Sequence, residues 1–251
     1  MKVHYTAPYL LNPQHKITVN LVGLGGTGSQ VLTCLARMNE TLVALGHPGL
    51  HVYGWDPDQV SMANIGRQLF SPADIGLNKA TVLITRVNRF FGYNWESRPE
   101  LYNNAAGNIL ITCIDTAAGR VSIANELNGR SNSEPTYRLY YWLDFGNSQT
   151  TGQAVLGSVL QNKQPKSDYQ TVASLPNVVK LFPQLKKIKK EEEGPSCSVA
   201  QSINRQDLFI NSTLAQLGTN ILWKLFREGM IKVHGCYLNL STMITNPIKI
   251  K

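Results

Sequence analysis

Residues 16–30, KITVNLVGLGGTGSQ, decide the fold. Ile17 to Val22 is a β-branched, aliphatic run of the length of one buried strand. Gly23, Gly25 and Gly28 follow in the G-x-G-x-x-G spacing. Apolar residues then return at roughly helical intervals until Gly46 and Pro48 stop them. The stretch therefore predicts a strand, a glycine turn and a helix. Glycines at such a turn let backbone N–H groups approach an anion at the helix N-terminus, where the dipole favours negative charge. Alone, the pattern fits NAD, FAD, SAM or ATP equally, and a tight turn with no ligand satisfies it too.

Working outward, LHVYGWD (50–56) predicts a second strand closed by Asp56-Pro57, and 71–92 a turn followed by a helix starting near Asn78. NILITCID (108–115) predicts a third strand ending at Asp115, with a helix after it; 138–147 and 151–159 predict two more strands. Strands alternating with helices at this spacing imply a Rossmann-like, doubly wound, mostly parallel sheet. Residues 161–195 turn polar, proline-dotted and lysine-rich. They are too long for a plain connection and read as a mobile crossover loop. Beyond them, 199–226 predicts a long helix and 230–244 a terminal antiparallel hairpin. The chain reads as one domain: a nucleotide-binding core over 17–160, the crossover loop over 161–195, and a C-terminal helix and hairpin over 196–251.

No run approaches the roughly 20 apolar residues a membrane helix needs, and the first residues lack a signal peptide's apolar core, so a cytoplasmic protein is expected. Cysteines stand at 34, 113, 197 and 236 with no C-x-x-C, which argues against zinc and against a disulfide framework. The net charge of +8 favours an anionic partner. The basic residues form no aromatic-interleaved stripe, which argues against nucleic acid, and KKIKKEEE (186–193) neutralises itself locally.

A second stretch, WDPDQVSMANIGRQ (55–68), asks for more than a dinucleotide. Asp56 ends a strand where an acid accepts hydrogen bonds from both ribose hydroxyls, which NAD would also use. Arg67 and Lys79, the latter in the GLNK turn, are two cations directed at the glycine loop, and they point to a triphosphate; solvated surface charges are the alternative. Asp115 faces the same crevice by the rule that ligands sit at the carboxyl ends of strands. A lone carboxylate there suits Mg²⁺ bound mainly through phosphates and water.

The pattern D-x-D-x-V-x-x-x-N-x-x-R-Q, from Asp56 to Gln68, resembles the ThiF/MoeB and ubiquitin-activating-enzyme superfamily. So do the G-x-G-G-x-G-S loop at 23–29, Lys79, the strand ending in Asp115, Gly146 with Gly152 and Gln153, and the P-x-C of Pro195 to Cys197. The stretch from Pro195 on is similar to ThiF-type proteins of bacterial PRTRC loci. Such loci also encode a small ubiquitin-like protein, a JAB-type peptidase and further, conjugating-type partners. The resemblance implies an adenylyltransferase that uses MgATP to activate the C-terminal glycine carboxylate of a ubiquitin-like protein, working as a homodimer. It assigns phosphate to Gly23, Gly25, Gly26 and Gly28, ribose to Asp56 with Asp58 beside it, phosphate contacts to Asn64, Arg67, Gln68 and Lys79, and Mg²⁺ to Asp115. Relatives also carry an N-terminal arginine that reaches across a dimer. Here the segment before Val19 has none, which leaves Lys2, His15, Lys16 or another contribution from the partner subunit as substitutes.

Cys197 is the candidate thioester nucleophile, since it follows the crossover loop just ahead of a predicted helix N-terminus; no histidine lies near it in sequence. Cys34, Cys113 and Cys236 read as packing residues. Tyr140, Tyr141 and Trp142 read as core, or as a groove for an extended tail. Two other readings stay open. A non-catalytic scaffold that binds nucleotide or the ubiquitin-like partner is kept alive by the missing arginine. A nicotinamide oxidoreductase explains the glycines and Asp56 but leaves Arg67, Lys79 and Asn64 idle.

Overall fold

A computed structural model describes residues 1–128, 134–188 and 206–251. Its centre is an eight-stranded sheet. β2 (Ile17–Val22), β3 (Leu50–Trp55), β4 (Glu96–Arg98), β5 (Ile109–Thr112) and β6 (Tyr141–Asn147) run parallel, and β7 (Thr151–Ser158), β10 (Val233–Asn239) and β11 (Ile244–Lys249) continue it antiparallel. The order across the sheet is β11-β10-β7-β6-β5-β2-β3-β4. This is the Rossmann-like, mostly parallel sheet with antiparallel C-terminal strands that the sequence predicts. Parallel strands covered on both faces need apolar residues at nearly every position. ILIT of β5 is buried throughout, and β2 leaves only Thr18 half-buried.

Helices α2 (Gly26–Ala44), α3 (Lys79–Phe91), α4 (Ala117–Asn128) and α6 (Ile210–Glu228) flank the sheet. Asn78 caps α3 by accepting from the Thr81 N–H, and Gly92 ends it in the left-handed conformation at φ 74°. α6 lies on β6 and β7 through Gly218, where a Cβ would come within 2.2 Å of the Phe145 ring. Among the described residues the predicted helix over 199–226 begins at Ile210, and ahead of it the Asp207 N–H donates to Gln149 O at 2.8 Å; residues 199–205 lie outside the described residues.

Residues 1–16, for which the sequence predicts no element, contain β1 (Lys2–Tyr5) and the one-turn helix α1 (Pro8–Leu11). β1 sits between β8 (Gln170–Thr171) and β9 (Met230–Ile231) in a second, three-stranded sheet. Thus 161–188, read as a polar crossover, supplies β8 and the short helix α5 (Val178–Leu181), and packs Leu175, Val178 and Val179 into the core. Tyr140, Tyr141 and Trp142 are buried too, as packing residues. The two edges of the large sheet differ. β4 has three residues and an Arg98–Glu96 ion pair at 2.8 Å, while β11 is almost wholly exposed and carries Pro247.

A polar pin joins β1 to the core. His4 is fully buried, with Nδ1 2.6 Å from Val172 O and Nε2 2.9 Å from the Tyr141 hydroxyl. The Ala7 N–H and the Asn162 amide both donate to that hydroxyl, so the hydroxyl donates to Nε2 and a neutral ring with its proton on Nδ1 satisfies every contact. Burial holds His4 below the ordinary value of 6.5, against the raising effect of Val172 O, and His234 is lowered by burial likewise. As pH falls through 6.5 the unfolded ring takes up a proton that the native ring refuses, so the unfolded state binds more protons down to the native value and stability declines in that window. The urea midpoint is expected to drop between about pH 7.5 and about pH 5.5. In His4→Gln the drop is expected to be smaller, on a lower starting midpoint.

Candidate functional site

Strands β2, β3 and β5 end level. Val22 lies opposite both Trp55 and Thr112, and Thr112 opposite Asp144. Gly23, Asp56 and Cys113 therefore follow directly on the carboxyl ends of their strands, where open α/β sheets bind ligands, while β6 runs on to Asn147. Two glycines are needed to close the first turn. Gly23 has φ 84°, and a Cβ on it would lie 2.7 Å from Cys113 O; one on Gly28 would lie 1.8 Å from Gly23 O. At Gly26 a Cβ would strike the Asn211 amide at 2.7 Å. Gly25 differs, since its nearest neighbour would be the Gln68 amide at 3.8 Å. Gly25 caps α2 without a side chain, which leaves the first N–H groups of the helix available to an anion.

Asp56 is buried and ties two loops together. Its Oδ2 accepts from the Leu24 N–H at 2.6 Å and its Oδ1 from the Asp58 N–H at 2.9 Å. Each oxygen keeps a second lone pair for a ligand donor. Burial pushes its pKa up, and the Lys79 charge opposes that rise. Lys79 is delivered by the main chain: its N–H donates to Asp58 O at 2.9 Å, and the Asn78 amide donates to Asp56 O at 2.8 Å. Its Nζ then rests on Asp58 Oδ2 at 2.8 Å. Asp58 is thus the partner of Lys79. The Asn64 side chain has a structural duty, with Oδ1 accepting from the Ser61 N–H at 2.8 Å and hydroxyl at 3.2 Å, so only its amide nitrogen is left for a ligand.

Arg67 is half-buried. Burial lowers its pKa, while the carboxylate of Asp115, itself exposed, pulls the other way. Its Nη1 donates to Gln206 Oε1. Gln206 also accepts from Asn211, whose Oδ1 accepts from Thr27 at 2.9 Å and from Asn147 at 3.3 Å. Sequence reading missed this chain of amides, because Asn147, Gln206 and Asn211 stand far apart with no spacing to connect them. Arg120 and Asp144 were missed for the same reason. Gly146 and Gln153 pair across β6 and β7, and the absent Cβ of Gly146 gives room to Gln153 and to the Arg120 guanidinium. Cys197 lies outside the described residues. Cys34, Cys113 and Cys236 all have thiol pKa values raised by burial, which makes them poor nucleophiles.

The residues fit a triphosphate. Arg67 Nε and Gln68 Oε1 are buried without a hydrogen-bond partner among the described residues, and a buried guanidinium donor left open calls for an anionic acceptor. Among the described residues no cluster of three or more His, Cys, Asp or Glu could hold a metal. One carboxylate, Asp115, fits Mg²⁺ kept mainly by phosphate oxygens and water. Among the described residues, no helix is long and apolar enough to cross a membrane.

Glycine turn, strand-ending acid and open guanidinium thus gather at the carboxyl ends of the strands of a doubly wound sheet. The chain belongs to the ThiF family, whose pattern matches residues 12–204. Among solved structures, E. coli MccB with ATP is similar at TM-score 0.59 and 15% identity, over 96% of this chain and 64% of that one. E. coli MccB with MccA-N7isoASN gives 0.56 at 16% identity, over 94% and 64% of the two chains. PaaA, as the SeMet protein, gives 0.56 at 14% identity over the same shares, 94% and 64%. The chain thus spans less than two thirds of these structures' length, and at such identities the likeness is one of fold. No curated protein sequence matches it.

The glycines separate by role. Gly28→Ala is expected to lose the native thermal transition, since its Cβ overlaps backbone. Gly25→Ala is expected to melt within about 3 °C of wild type, a shift of under roughly 1 kcal/mol, yet to lose about tenfold in ATP affinity by calorimetry.

Proposed function

We propose that this chain adenylates the C-terminal glycine carboxylate of a small ubiquitin-like protein, consuming MgATP and releasing pyrophosphate. The observation that carries the reading is Arg67: a guanidinium whose buried Nε has no partner among the described residues, acted on by Asp115, in the loop that puts Gln68 beside Gly25. A nicotinamide reading gives that open Nε no anionic acceptor and leaves Lys79 with Asp58 alone.

The difficulty in adenylation is that a carboxylate must approach a phosphate that is also negative. Asp56 accepts the ribose hydroxyls and keeps the glycine turn in place. N–H groups around Gly25 and Gly26 hold phosphate oxygens, and Arg67 and Lys79 offset their charge. For Lys79 this means sharing Nζ between Asp58 and a phosphate. Mg²⁺ held by Asp115 and the phosphates supplies further neutralisation at the reacting phosphorus. A carboxylate oxygen of the tail attacks the α-phosphorus, and the bond from that phosphorus to pyrophosphate breaks. Positioning does most of the work.

A homodimer completes the proposal. Met62, Leu69, Ile75 and Leu77 are exposed apolar residues flanking Asn64 to Gln68, and we assign the dimer face to them. Met62→Glu with Leu77→Glu is expected to move the sedimentation coefficient from dimer to monomer; a dimer that persists removes this face from the proposal. In the proposed second step the Cys197 thiolate attacks the carbonyl carbon of the acyl adenylate, forming a thioester as the bond to AMP breaks and AMP leaves. The second reading, a nucleotide-binding scaffold, draws its support from the arginine-free segment before Val19.

ATP–pyrophosphate exchange with a small ubiquitin-like protein that ends in glycine separates the two readings. Wild type is expected to exchange and Asp115→Ala to lose at least about 100-fold. Cys197→Ala is expected to keep exchange. Wild type that binds ATP yet never exchanges is a scaffold.

A further inference from the structure

Arg120, on the first turn of α4, is buried and each of its three nitrogens donates to the protein. Nε donates to both oxygens of Asp144 at 3.1 and 2.9 Å. Nη1 donates to Thr116 O at 3.3 Å, and Nη2 to Ile114 O at 2.6 Å and Phe145 O at 2.7 Å. Ile114 O and Thr116 O are the carbonyls on either side of Asp115. One guanidinium therefore grips the backbone before and after an exposed carboxylate without touching its side chain. Asp144 is fully buried on β6 and anchors the guanidinium; its Oδ1 also accepts from the Thr112 hydroxyl at 2.5 Å, which in turn accepts from Trp142 Nε1 at 2.8 Å. With all three nitrogens committed to protein acceptors, Arg120 is set apart from the phosphate-facing cations.

A buried ion pair adds little to stability by itself, since desolvation of both ions offsets their attraction. What this pair does supply is geometry: the turn between β5 and α4 is fixed to the neighbouring strand β6. From that juxtaposition we propose that the Arg120–Asp144 pair is a positioning device for Asp115 and sets the affinity for the divalent cation at the nucleotide. The inference rests on Asp115 being the metal-facing carboxylate.

The test uses Mn²⁺, titrated by electron paramagnetic resonance against the full chain with a non-hydrolysable ATP analogue. Groups that orient a metal ligand typically change affinity by about 10- to 100-fold when replaced. R120K keeps the charge opposite Asp144 but cannot span two carbonyls. It is expected to lose at least about tenfold in Mn²⁺ affinity, with metal-free binding of the analogue held within about twofold. Should R120K not fold, the double variant R120M/D144L removes the buried charges together and carries the same expectation. A pair with a merely structural role would lower the melting temperature and leave Mn²⁺ affinity at the wild-type value. Either folded variant binding Mn²⁺ like wild type, while D115A loses it, overturns the inference and spares the reading of Asp115. D115A binding Mn²⁺ like wild type overturns that reading and the inference with it.

Discussion

The Asp56 carboxylate is the joint on which the site depends. It accepts one N–H from the glycine turn and one from the loop that follows β3, so it fixes two chain segments that share no other side chain between them at that point. The same loop carries Asp58, and Asp58 receives Lys79 through both backbone and ammonium. Removing the carboxylate would loosen the glycine turn and the lysine together. Its burial makes the charge costly, and that cost is offset by fixed N–H donors and by the nearby lysine.

Much of this was legible in sequence for identifiable reasons. A strand that is buried on both faces is written as a nearly continuous apolar run, and β2 and β5 follow it, while β3 alternates with His51 and Tyr53 half-buried. Asn78 before an apolar period marks a helix start, and the helix begins one residue later. The acid at 56 ends β3, and register then brings it level with the glycine turn. Spacing alone therefore locates the parts that one turn and its neighbouring strand ends build.

Parts assembled from distant segments left no such trace. β1 pairs with β8 across most of the chain, Lys2 to Gln170, and neither strand is long enough to show a period. Leu175, Val178 and Val179 sit in a segment whose prolines and lysines mask its apolar minority. Arg120 lies on a helix with little amphipathic contrast, and nothing in AAGRVSIANELN tells a buried arginine from a solvated one. Gln206 and Asn211 reach Arg67 and Thr27 only because α6 begins beside α2. In the ThiF family pattern the C-terminal boundary falls at residue 204, just short of both.

The margins of the large sheet carry a consequence for how another polypeptide can approach. A strand margin invites pairing by its open N–H and C=O groups. At one side the last strand is three residues long and charged; at the other, Pro247 interrupts the row of donors. Neither offers a long template for an added strand. Lateral pairing with another polypeptide is therefore disfavoured at both margins of this sheet.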